Sequence, residues 1–72
     1  MSIVLTAHYG SDTAIENVVE DLVATGIDRD KIYDDEEQKI VKVMVPASSE
    51  AEIREILGRH DPNEVRETTV SD

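Results

Sequence analysis

Apolar and polar residues alternate with two different periods along the chain, and the period switches four times. From Ser2 to His8, Ile3, Leu5 and Ala7 alternate with Val4, Thr6 and His8, the two-residue repeat of a half-buried strand. The first set is the more apolar, so it is assigned to the helix-covered side. Tyr9-Gly10-Ser11 breaks the strand. A helical spacing follows from about Asp12 to Thr25, with Ile15, Val18, Val19, Leu22 and Val23 on one stripe and Glu16, Asn17, Glu20 and Asp21 on the other side. Ser11 or Asp12 suits its N-cap. Thr13 to Glu16 has capping-box spacing, and Asp12 and Glu16 suit the positive end of the helix dipole. Gly26 fits the left-handed position past the helix end, with Ile27 as its hydrophobic contact.

A short strand is expected around Lys31 to Tyr33, then an acidic turn at Asp34-Asp35-Glu36-Glu37, then a strand from Lys39 to Val45. In the last, Val41, Val43 and Val45 alternate with Ile40, Lys42 and Met44, and the separation suits a hairpin. Pro46, which lacks a ladder donor, ends it. A second helix is expected from about Ser49 to Arg59, opened by a capping box at Ser49 to Glu52, with Ile53, Ile56, Leu57 and His60 on one face. Asp61-Pro62-Asn63 stops it, and Glu64 to Val70 reads as a final strand. The order is βαββαβ, that of the ferredoxin-like α+β fold: one four-stranded antiparallel sheet with both helices on one face, in a single domain spanning 1–72. The other face is open. On this register it carries Val4, Thr6, His8, Lys31, Tyr33, Ile40, Lys42 and Met44, half of them apolar, although a slip of one residue would exchange the faces. Val4, Thr6, His8, Tyr33, Ile40, Lys42 and Met44 are the candidate interface.

Composition narrows the function. At 72 residues, 17 acids against 7 bases give a net charge of −10, which opposes contact with nucleic acid or anionic membrane. Tyr9 and Tyr33 are the only aromatic residues, too few for base stacking. Leu, Ile and Val supply enough apolar surface for folding, but a core this small usually holds only ~3–5 kcal/mol, so self-association is expected. Absence of cysteine excludes disulfides, thiolate metal sites and a cysteine nucleophile. MSIVLTAHYG resembles neither a signal peptide nor a membrane span, and a cytoplasmic location is expected.

No cofactor, metal site or catalytic residue is expected. His8 and His60 lack a metal-ligand spacing and read as a surface or interface histidine and as a helix C-terminal residue. The acids at 28, 30 and 34–37 lack the glycine and ligand spacing of a calcium loop and read as a solvated tip guarding an edge strand. Ser11, Ser48 and Ser49 sit where caps and turns use them, and Gly10, Gly26 and Gly58 form no phosphate loop. Arg54 follows Glu50 by four residues and Arg59 follows Glu55 by four, the spacing of helix-face ion pairs.

The positions Ala14, Val18, Leu22, Gly26, Ile27 and Ile32, then Ile56, Leu57, His60 and Val65, resemble the pattern of small bacterial heat-induced or general-stress proteins. The resemblance spans about Ile3 to Glu67. It departs where the glycine usual after the histidine is replaced by Asp61-Pro62, and in an unusually acidic loop before the Val-rich strand. It implies a stress-associated role and transfers no catalytic residue. Gly10 with Gly26-Ile27-Asp28 also resembles ACT-type regulatory domains, which bind amino acids, although Tyr9 stands where their proline is usual. PII-like trimers share the fold, but their long nucleotide-binding loop has no counterpart here. The expected function is a non-enzymatic, stress-associated module, a homo-oligomer (a dimer) or protein-binding unit working through the open face. The alternatives are an ACT-like amino-acid sensor, an enzyme using His8 or His60 with a carboxylate, and an acidic mimic of nucleic acid.

Overall fold

A computed structural model describes residues 2–70, and of Val70 the backbone only. The elements are β1 (Ser2–His8), α1 (Asp12–Thr25), β2 (Ile32–Asp35), β3 (Ile40–Pro46), α2 (Glu50–Gly58) and β4 (Glu64–Val70), with 3-10 turns at Arg29–Lys31 and Ala47–Ser49. The four strands form one antiparallel sheet in the order β2-β3-β1-β4, the ferredoxin-like arrangement expected.

One core lies between the helices and one side of the sheet. Ile3, Leu5 and Ala7 from β1 and Val41, Val43 and Val45 from β3 meet Ile15, Val18, Val19 and Leu22 of α1 and Ile53, Ile56 and Leu57 of α2. The alternation along each strand therefore resolves with the register read from the sequence. Val23 departs from the α1 stripe: it is 37% exposed, because the stripe is only as wide as the contact with the sheet and α2.

The helix ends differ from expectation in detail. Ser11 caps α1, its hydroxyl accepting the Ala14 N–H at 3.2 Å. Glu16 lies two residues too far along to complete a capping box with it, so the Thr13–Glu16 spacing is not used. Gly26 adopts φ 112° and its N–H reaches Leu22 O and Val23 O, while Ile27 N–H donates to Leu22 O at 3.1 Å and Ile27 packs on the core. This is the double-bonded left-handed cap. Ser49 makes no side-chain cap, because the 3-10 turn Ala47–Ser49 leads straight into α2 and leaves it at φ −100°, ψ 0°. The 3-10 turn Arg29–Lys31 likewise delays β2 by one residue, so Lys31 is not in the strand. β2 then continues through Asp34 and Asp35, and the turn begins at Glu36. Asp35 Oδ1 accepts the N–H groups of Glu37 and Gln38, and Lys39 closes the turn at φ 61° with its Nζ donating to Asp12 Oδ1 and Glu36 O.

Candidate open-face site

Strand register builds the uncovered face in rows. One row runs Asp35, Ile40, His8, Glu64; the next runs Tyr33, Lys42, Thr6, Arg66; the third holds Met44, Val4 and Thr68. Rows on one face are ~7 Å apart along the strands. Val4, Thr6 and His8 are half-buried, Lys42 is exposed, and Tyr33 and Met44 are 57% and 40% exposed. Six of the seven expected interface residues thus offer surface. Ile40 is the exception: it lies in the row between Asp35 and His8 but is only 7% exposed, so it fills that row rather than presenting itself.

β4 adds Glu64, Arg66 and Thr68, which the sequence reading left out. Their signal was the inward Val65 between two charged residues, a period of two. Arg66 Nε pairs with Glu64 at 3.2 Å, and His8 Nε2 lies 4.0 Å from the same carboxylate group. The face carries Asp35 and Glu64 against Lys42 and Arg66, a formal balance of zero. The whole −10 of the chain is therefore carried elsewhere.

Where β2 begins, the face is concave. Val4, Tyr33, Lys42 and Met44 from the strands form a groove of about 350 Å3 with Asp30, Lys31 and Ile32. Lys31 reaches it from the 3-10 turn rather than from the strand. Among the described residues, Lys39, Arg54, Arg59 and Arg66 make ion pairs with carboxylates, whereas Arg29, Lys31 and Lys42 make none.

The remaining candidate chemistry is dispersed. His60 sits beyond α2 on the helix side and its Nε2 is 2.9 Å from Asp21 Oδ2 of α1, so it ties the two helices together. The sequence placed His60 on the inner face at the end of α2 without pointing to Asp21, because a contact 39 residues away has no local signature. His8 lies on the opposite layer. Arg54 and Arg59 pair with Glu50 and Glu55 as their spacing suggests, and Arg54 also reaches Glu67 of β4 at 3.2 Å. These two carboxylates raise the pKa of the guanidinium. Ser11 is engaged as a cap, and a Cβ at Gly10 would meet nothing within 4 Å. Among the described residues no group of three His, Asp or Glu side chains is placed to hold a metal ion, and no helix is long and apolar enough to cross a membrane. Compared with protein-family models, curated proteins and solved structures, the chain finds no match.

Proposed function

We propose that this chain is a non-catalytic recognition module whose open sheet face docks a second copy of itself. The observation that carries the reading is the charge-balanced face, set in a molecule that is otherwise strongly acidic. Self-association of a chain at −10 meets mutual repulsion everywhere else, and only a surface of balanced charge escapes it. The rows are also self-complementary. A second copy rotated about an axis across the strands, between the first two rows, would bring Glu64 against the partner's Arg66 and Asp35 near the partner's Lys42. The exposed Tyr33 and Met44 supply the apolar contact such a face needs.

The ACT-like alternative receives less support. Gly10 has neither a positive φ nor a crowded Cβ position, Ser11 caps α1, and Gly26 ends it. Ser11 and Gly26 therefore serve the backbone, and nothing around Gly10 marks a close approach. The resemblance to small heat-induced proteins supports a stress-linked role for the module.

Sedimentation of the full chain tests the reading. A dimer at concentrations of ~10–100 μM is expected, with Met44→Glu shifting it to monomer and Val23→Glu, on the exposed side of α1, leaving it dimeric. A wild-type chain that remains monomeric across that range overturns the proposal.

A further inference from the structure

Anions are repelled by most of this surface, yet a hollow on the open face is bordered by two lysines that, among the described residues, no carboxylate pairs with. The chain has three lysines. Lys39 is held by Asp12 and the Glu36 carbonyl, and the other two border the same groove, from different elements 11 residues apart by number. With 17 acids available for pairing, two lysines left unpaired beside Val4, Tyr33 and Met44 form a site with a charged rim and an apolar floor. Asp30 also lines it, so the groove's own charge is +1, the complement of a single negative charge.

We propose that this groove binds a small amphipathic organic anion: one carboxylate, taken by Lys31 and Lys42, on an apolar body laid over Val4, Tyr33 and Met44. A volume of about 350 Å3 suits a ligand of metabolite size. The site is formed within one copy of the chain and shares Tyr33, Lys42 and Met44 with the self-docking face, so the anion and a second copy compete for it.

The sign of the charge preference is diagnostic. A molecule at −10 attracts organic cations and repels organic anions through its overall field, so only a local site reverses that order. The test is an amide-shift titration of the full chain with 4-phenylbutyrate, with 4-phenylbutylamine as the cation of matching body, and with acetate as the charge without the body. Saturating shifts at Val4, Tyr33, Lys42 and Met44 are expected with phenylbutyrate, weaker ones with the amine and none that saturate with acetate. The double variant Lys31→Gln/Lys42→Gln, both positions being at the surface, is expected to keep a folded spectrum and weaken phenylbutyrate binding about tenfold. Equal or tighter binding of the amine, or an unchanged affinity in the double variant, overturns the proposal. So do groove shifts that depend on protein concentration without additive and leave no response to phenylbutyrate, since the occupant is then a second copy. Sedimentation of the same samples separates the two readings. A monomer that binds phenylbutyrate removes self-association alone, and a dimer that does not discriminate removes the anion site alone.

Discussion

Tyr9 follows the last residue of β1, is 2% exposed, and donates its hydroxyl to Leu57 O of α2 at 2.9 Å. Its own N–H donates to Lys39 O at 2.8 Å, so it fastens both the sheet end and a helix end. Burial pushes the phenol pKa upward. Below the unfolded value near 10 both states hold the proton and the stabilisation is complete. Above it the unfolded chain releases the proton first, so stability falls as pH rises. Tyr9→Phe should cost ~1 kcal/mol at neutral pH and flatten that alkaline decline, read by urea unfolding between pH 7 and 11. Asp61 is a second case. It stands at φ 57°, where glycine is free and aspartate is tolerated at some cost. The departure from the heat-induced pattern at this position thus falls where the backbone favours glycine. Asp61→Gly should leave the fold intact and raise stability by ~0.5 kcal/mol, measured in the same way. From sequence Tyr9 looked like a strand breaker, because nothing local shows that a residue 48 positions away accepts its hydroxyl.

At the scale of elements, period carried most of the architecture. Val41, Val43 and Val45 could face only a core, and Ile15, Val18 and Leu22 only a sheet, so strand and helix identities follow from spacing. The ends were less legible. Ser49 and Thr13 both match a capping-box spacing, but neither forms the cap, because the turn chosen by the preceding residues decides which hydroxyl meets a free N–H. The start of β2 shifted for the same reason, through the 3-10 turn at Arg29–Lys31. Glycine roles separate on backbone angle. Gly26 needs its φ of 112°, whereas Gly58 ends α2 with ordinary φ and open space at its Cβ position. Gly58→Ala should therefore stabilise the chain by ~0.5–1 kcal/mol, and Gly26→Ala should destabilise it by ~1 kcal/mol, both read from urea midpoints.

For the whole molecule, charge is the dominant fact. Acids exceed bases by ten over 72 residues, and the resulting repulsion acts against compactness. Moving from ~10 mM to ~500 mM salt shortens the screening length from ~30 Å to a few Å. The melting temperature should therefore rise, against the small opposing loss from surface pairs such as Arg59 with Glu55. A fall in melting temperature over that range would mean that the paired charges outweigh the excess. Which sheet side lies open was legible from β1 and β3. The neutrality of that side was not, since it depends on β2 running on to Asp35, which balances Lys42, while Glu64 and Arg66 across β1 cancel each other. The groove was hidden too, because Lys31 enters it from a turn and not from the strand to which alternation assigned it.

The placement of the two tyrosines has an experimental consequence. With no tryptophan in the chain, all intrinsic fluorescence comes from one ring sealed inside and one ring 57% exposed on the open face. Iodide should quench only the Tyr33 share of the emission, and a bound partner or ligand should shield it. The Tyr9 share becomes accessible only when the chain unfolds, so a single unlabelled sample reports occupancy and folding separately.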